Sequence, residues 1–124
     1  RSKRGDGIIM KKLLILILFV LMSFFLNAAY YGAIAINQQT GATGYSYDYS
    51  SRYAAERTAL NHCKGNCRIA VYFRNTCASV AWSPSTKSYG WYYAGYMSET
   101  KRGALNKCGY RDCRVVCSVC TTRY

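Results

Sequence analysis

The sequence contains few of the side chains that enzymes use for acid–base and nucleophilic chemistry. Among its 124 residues are one histidine and five acidic residues. The histidine, His62, is followed by Cys63, and adjacent helical residues point in different directions, so this pair does not predict a nucleophile with its base. No two carboxylates have a spacing that indicates glycoside hydrolysis. We therefore assign no catalytic residue and no cofactor, and we expect a protein that is not an enzyme.

Cysteine is plentiful, with seven residues, but its spacing argues against a metal site. Two of the close pairs have three or four intervening residues rather than the two that are usual in a zinc knuckle. Cys117 and Cys120 do have the two-residue spacing, yet they fall in a predicted strand, whereas a redox-active pair normally lies at a helix N-terminus that stabilises the thiolate. The cysteines therefore predict disulfides, with no metal and no redox centre.

The chain has one long apolar run, and it lies near the N-terminus. Met10 and two lysines precede residues 13–26, which are apolar except for Ser23, and small residues follow at Ala28 and Ala29. This pattern predicts a signal peptide over residues 10–29, with residues 1–9 as an upstream extension outside the fold. A membrane span needs about 20 apolar residues, so an uncleaved anchor is the less favoured alternative. We expect a secreted or periplasmic protein that meets the membrane only through this segment.

Acidic residues are scarce in the remaining chain, residues 30–124. Twelve lysines and arginines face four acids there, which gives a net charge of +8. Such a charge favours contact with polyanions in general. The basic residues are scattered rather than clustered, which argues against a nucleic-acid partner.

The same part of the chain repeats itself with a period of 45 to 46 residues, so we predict one domain over residues 30–124 built from two units, about 31–76 and 77–122. Each unit reads as strand, strand, helix and strand. The aligned segments are 33–36 with 79–82, 44–47 with 90–93, 58–63 with 103–108, and 67–71 with 113–117.

The predicted fold class is α+β, a duplicated ββαβ unit linked by disulfides. The strands are expected in one mostly antiparallel sheet, or in two small ones, with the two helices packed on one face. Alternation in the last strand of the first unit predicts that Ile69, Val71 and Phe73 face the helices. The same alternation places Tyr72 and Arg74 toward solvent or a partner.

The repeat also suggests how the cysteines pair. Cys63 and Cys67 occupy the same places in the first unit as Cys108 and Cys113 in the second, which favours one short bridge in each unit. Cys117 aligns with Val71, a predicted core position, and this favours a Cys77–Cys120 bridge with Cys117 as a buried free thiol. Other connectivities stay open because spacing alone does not determine them.

Aromatic residues are in surplus: all 13 tyrosines and both tryptophans lie in residues 30–124. Core and cross-strand packing explains such residues most simply. The functional alternative is an aromatic platform beside arginines, including Arg52, that stacks sugars or bases or anchors a protein. Its candidate residues are Arg68, Tyr72, Arg74, Arg114, Tyr45, Tyr47, Trp91 and Tyr93.

The pattern of cysteines and glycine–aromatic pairs resembles a known family. It includes Gly44-Tyr45, Gly90-Trp91, and residues 73–78, which read Phe-Arg-Asn-Thr-Cys-Ala. It resembles DUF4189, a bacterial domain of unknown function found in exported proteins, over essentially the whole of residues 30–124. The family pattern has six cysteines, and Cys117 is the one that departs from it. The resemblance implies an exported, disulfide-bonded domain and brings no catalytic residues.

These observations favour a non-enzymatic secreted or periplasmic module that binds a protein or an anionic component of the cell envelope. One alternative is a secreted effector or toxin with hydrolytic activity, which would need a cluster of polar residues; one version of it would use His62, Asp48 and Glu56. Another is an inhibitor or immunity protein of a competition system. The sequence indicates no oligomeric state.

Overall fold

The computed structural model describes residues 10–19 and 29–122. Residues 10–19 form helix α1, whose side chains are exposed. No helix in these two ranges is long and apolar enough to cross a membrane. The predicted extension at residues 1–9 and residues 20–28 of the predicted signal peptide lie outside the described residues, so the signal peptide stays a prediction.

The rest of the chain forms the same four elements twice, as the repeat predicts. The first unit consists of β1 (Tyr31–Ile36), β2 (Thr43–Tyr49), α2 (Arg52–His62) and β3 (Arg68–Arg74). The second consists of β4 (Cys77–Trp82), β5 (Tyr89–Ala94), α3 (Met97–Cys108) and β6 (Arg114–Cys120). The α+β class and the duplicated ββαβ unit are therefore confirmed.

Each unit builds its own antiparallel sheet of three strands. The first sheet has the order β2-β1-β3 and the second the order β5-β4-β6, so the first strand of each unit is central. Of the two sheet arrangements that the sequence left open, the structure has two small sheets. Turn chemistry closes the hairpins: Gly41 adopts a φ of 79° before β2, a conformation that glycine adopts without strain.

The last strand of each unit contains one extra residue at the same place. In the first sheet Ile34 pairs with Val71 but Ala35 pairs with Ile69, so Ala70 is the residue left over. The second sheet has the same shift in the equivalent register. A bulge of this kind reverses the alternation of faces. The expectation that Ile69, Val71 and Phe73 all face the helices was therefore wrong: Ile69 packs toward α2, whereas Val71 and Phe73 pack toward the other sheet.

The two sheets pack face to face and the helices lie outside them. The central core holds Ile34, Phe73, Val80 and Trp82, which come from both sheets. Small residues of β1 and β4 face α2 and α3 in two outer cores. The layers therefore run α2, first sheet, second sheet, α3. In each unit the helix packs on one face of its sheet, as predicted. The two helices do not lie on the same side, because the other face of each sheet is apolar and packs against the other sheet.

Glycine lets each helix approach its sheet closely. A Cβ added at Gly44 would overlap the carbonyl oxygen of Ala59 in α2, and one added at Gly90 would overlap the backbone nitrogen of Cys108 in α3. Both glycines precede the aromatic residue of the repeated pair. The glycine of this pair therefore serves packing between a strand and the backbone of its helix.

Three disulfides join these elements. Cys63–Cys67 and Cys108–Cys113 each connect the end of a helix to the start of the following strand, with the Cα atoms 6.2 Å apart in both. Cys77–Cys120 connects β4 to β6. Cys117 is the free cysteine and is partly buried against the central core.

Candidate functional site

The structure distributes the eight candidate surface residues over three places. Arg68 and Arg114 lie at the starts of β3 and β6, and Tyr45 and Tyr47 lie on the edge strand β2. The other four meet at the opposite edge of the sandwich, where β3 of the first sheet runs beside β5 of the second. They are Tyr72, Arg74, Trp91 and Tyr93, and they line one groove.

We call this space the edge groove and define it by those four residues together with Arg52. It has a volume of about 1030 Å³ and lies along the exposed edge of β3. Residues of α2 complete one end. The groove therefore combines side chains from both units, which only the packing of the two sheets brings together.

One wall of the edge groove is held by an arginine of α2. The guanidinium of Arg52 lies 3.7 Å from the centre of the Tyr72 ring. The Nε of Arg52 also donates a hydrogen bond of 2.8 Å to the carboxylate of Glu56. Because its charge already has a carboxylate and an aromatic partner, Arg52 serves mainly to orient Tyr72.

The other wall is a pair of aromatic rings from β5. Trp91 and Tyr93 are two residues apart on the strand, so both project from the face of the second sheet that is turned toward the first sheet. Their rings are nearly parallel, with an angle of 7° between the planes and 6.0 Å between the centres. Their exposed fractions are 42% and 56%, so each ring remains accessible to a ligand.

Arg74 supplies the cation at the open end of the groove. Its guanidinium lies 5.8 Å from the centre of the Tyr31 ring. Within residues 10–19 and 29–122 the single ion pair is Arg52–Glu56, so Arg74 has no carboxylate partner there. The groove therefore presents one cation that no carboxylate of the described residues neutralises.

The equivalent edge between β2 and β6 is closed. The carboxylate of Asp48 accepts hydrogen bonds from the backbone nitrogen of Thr122 at 2.9 Å and from its hydroxyl at 2.7 Å. Ser118 and Cys120 stand in the register where the first unit has Tyr72 and Arg74. The edge groove is therefore not a by-product of duplication, since β6 lacks counterparts of Tyr72 and Arg74.

Two smaller hollows do follow the repeat. One lies beside β5, has a volume of about 640 Å³ and includes Lys107. Its counterpart beside β2 has about 570 Å³ and includes His62 and Asp48. Because these hollows occupy equivalent places, they reflect the shape of the unit.

The residues of the hydrolytic alternative do not form a catalytic group. Glu56 lines the edge groove, whereas His62 and Asp48 line the hollow beside β2. Both carboxylates are engaged, Glu56 by Arg52 and Asp48 by Thr122. Across the described parts of the chain, no three residues among histidine, cysteine, aspartate and glutamate are grouped to hold a metal ion.

Arg68 and Arg114 have structural partners at the turn end of the sandwich. The guanidinium of Arg114 lies 5.7 Å from the ring centre of the buried Trp82. Arg68 donates a hydrogen bond of 3.1 Å to the side-chain oxygen of Gln38, whose backbone oxygen accepts from the indole of Trp82. These two arginines therefore lie away from the edge groove.

Sequence reasoning named Arg52 beside the platform but did not place Glu56 in the groove. The four-residue spacing of these two residues on a helix was the available signal, because side chains at that spacing are neighbours.

A family model described as a domain of unknown function (DUF4189) matches residues 31–120 of the chain. No curated protein and no solved structure matches it. The matched residues contain both units and every residue that defines the edge groove.

Proposed function

The chain belongs to the DUF4189 family of domains of unknown function, and from its geometry we propose that it is a binding module that acts outside the cytoplasm and holds an anionic component of the cell envelope in the edge groove. The observation that carries the proposal is the set of uncovered Tyr, Trp and Arg side chains between β3 and β5. Tyr53, Tyr96 and Tyr110 are also exposed but do not line this groove. Exposed aromatic residues beside arginine are typical of binding surfaces.

The charge distribution supports an anionic ligand. Three of the four acidic residues in residues 29–122 are held by the protein itself: Asp48 by Thr122, Glu56 by Arg52, and Asp112 by Ser83 and Ser85. Of the basic residues there, only Arg52 forms an ion pair. A surface with this excess of unpaired cations attracts polyanions and speeds their association.

The disulfides and the predicted signal peptide support a location outside the cytoplasm. Disulfides of this kind persist in oxidising compartments such as the periplasm and the extracellular space. A module of about 90 residues gains much of its rigidity from such bridges, because its core is small. The compartment is also where anionic envelope polymers occur.

Binding to purified envelope polymers tests the proposal. The disulfide-bonded protein is titrated at 150 mM salt with lipopolysaccharide, teichoic acid and peptidoglycan fragments. The variant Trp91→Ala/Tyr93→Ala removes one wall of the groove. The matched control Tyr45→Ala/Tyr47→Ala removes the two aromatic residues at the equivalent positions of β2.

We expect at least one anionic polymer to bind, with affinity reduced about tenfold or more by the groove variant and by less than about twofold by the control. Absence of binding to every polymer would contradict the proposal. Equal losses in the two variants would place the binding surface elsewhere.

A further inference from the structure

We infer that the ligand of the edge groove is an anionic glycan, with a sugar ring against Trp91 and Tyr93 and its carboxylate or phosphate on Arg74. This inference rests on the proposed function and names the chemistry of the ligand. It assigns a separate task to each side of the groove. The aromatic pair selects for a sugar ring, and the arginine selects for an anion.

The aromatic pair fits a flat ring with polarised C–H bonds. An aromatic face carries negative charge density and attracts the positive edges of a neighbour. One face of a pyranose ring presents a row of C–H bonds, which are such edges. Because Trp91 and Tyr93 are stacked, with their planes 7° apart and their centres 6.0 Å apart, one face of each ring is turned toward the other, and a sugar ring packs against an outward face of the pair.

Arg74 fits the anion of such a sugar. A guanidinium binds carboxylate and phosphate through two parallel hydrogen bonds. Its contact with the Tyr31 ring is a cation–π contact at 5.8 Å, which leaves its N–H donors for a ligand. Arg52 differs because Glu56 already accepts from its Nε. The anion is therefore expected at Arg74, and Arg52 keeps Tyr72 in position.

The shape of the groove favours a glycan over a protein partner. Pockets for small ligands have volumes of about 300–1000 Å³, and the edge groove with about 1030 Å³ lies just above this range. A stable protein interface instead covers about 800 Å² on each partner. A short stretch of a polysaccharide fills an elongated groove of this size along β3.

The test uses four defined probes at 150 mM salt with calorimetric titration. They are an oligogalacturonate, its neutral methyl ester, a teichoic acid and polyphosphate. Oligogalacturonate carries sugars with carboxylates, and teichoic acid carries sugar or polyol with phosphate. The methyl ester lacks the charge, and polyphosphate lacks the sugar. The variants are Trp91→Ala/Tyr93→Ala, Arg74→Gln and Arg74→Lys, with Tyr45→Ala/Tyr47→Ala as control and with far-ultraviolet circular dichroism to verify folding.

We expect oligogalacturonate or teichoic acid to bind at least about tenfold more tightly than both the methyl ester and polyphosphate. The aromatic double variant and Arg74→Gln should each weaken that binding about tenfold or more, and Arg74→Lys should lose less, because lysine keeps the charge without the two-point contact. Binding of oligogalacturonate would identify carboxylate as the anion, and binding of teichoic acid would identify phosphate.

Two results would overturn the inference without touching the proposed function. One is polyphosphate binding as tightly as the glycans while the aromatic double variant still weakens the binding of envelope polymers, which would mean that the groove binds a polyanion without requiring a sugar. The other is equal binding of the methyl ester, which would remove the role of Arg74. If no probe and no envelope polymer binds, the proposed function fails as well.

Discussion

Arg74 and Tyr31 face each other across β3 and β1, and the register-equivalent residues of the second unit, Cys120 and Cys77, are joined by a disulfide. In the first unit the guanidinium lies 5.8 Å from the tyrosine ring centre. A cation–π contact at an exposed site contributes about 0.5–1 kcal/mol, far less than a covalent bridge. The first unit therefore has a weaker connection between these strands, and it is the unit whose β3 edge forms the groove.

The three disulfides are expected to differ in their contribution to stability. Cys77–Cys120 spans 43 residues and Cys63–Cys67 only four. In the chain-entropy account, removing the first bridge with Cys77→Ala/Cys120→Ala should lower the free energy of unfolding by about 4 kcal/mol, and removing the second with Cys63→Ala/Cys67→Ala by about 2 kcal/mol. Urea unfolding of the two variants measures both values. A larger loss for the short bridge would contradict the prediction.

The glycine that precedes the aromatic residue in each unit should resist substitution. Gly44→Ala and Gly90→Ala each place a methyl group against helix backbone, which cannot move as a side chain does. Each should cost about 1–3 kcal/mol of unfolding free energy. Gly95→Ala is the matched control, since a Cβ there meets no atom within 4 Å. The prediction fails if the control and the two variants have the same thermal midpoint.

Asp112 should make the stability of the protein depend on pH in strongly acidic solution. Its carboxylate accepts hydrogen bonds from the Ser83 hydroxyl at 2.7 Å and from the Ser85 backbone nitrogen at 2.9 Å. These bonds, with that of Ser83 the largest cause, lower the pKa of Asp112 from 3.8 to about 2. The folded state thus binds its proton less readily than the unfolded state.

The stabilisation is therefore complete above about pH 4 and is lost as the pH falls through about 2. Urea midpoints measured between pH 7 and pH 2 should fall less steeply for Asp112→Asn than for the unchanged protein. Glu99→Gln is the control, because Glu99 has no side-chain hydrogen bond to another residue in 29–122. Parallel curves for the Asp112→Asn variant and the unchanged protein would refute the assignment.

Cys117 should react slowly in the folded protein. Burial raises its pKa from 9.0 to about 11, with a small opposing effect of a hydrogen bond to Thr43. At pH 8 only about one thiol in a thousand is then ionised, and the thiolate is the reactive form. Alkylation by iodoacetamide should be about a hundredfold slower than in urea. In the control Cys117→Val, which introduces the residue found at Val71, the alkylation signal should disappear. Equal alkylation rates with and without urea would contradict the prediction.

Much of the local structure followed from the sequence. The repeat predicted two ββαβ units, and the structure has them. The alignment of Cys63 and Cys67 with Cys108 and Cys113 suggested the two short bridges that the structure contains. These features depend on residues close along the chain, where spacing and local conformational preference are decisive.

The faces of the last strands and the layer order were not predictable in this way. Alternation placed Ile69 and Val71 together, but the bulge at Ala70 separates them. A bulge depends on how two strands fit across a register, and no single strand carries that information.

The edge groove could not be predicted from the sequence for the same reason: it forms only where segments far apart in the chain meet. The sequence identified Tyr72, Arg74, Trp91 and Tyr93 as candidate surface residues, and also Tyr45 and Tyr47, which lie at the other edge. Only the face-to-face packing of the two sheets sets β3 beside β5, and bonds between residues far apart in the chain, Asp48 and Thr122, bridge the equivalent edge. The sequence by itself determined the two units and their chemistry. The burial of an apolar face on each sheet decided which side chains meet, because that burial, rather than distance along the chain, orders the layers.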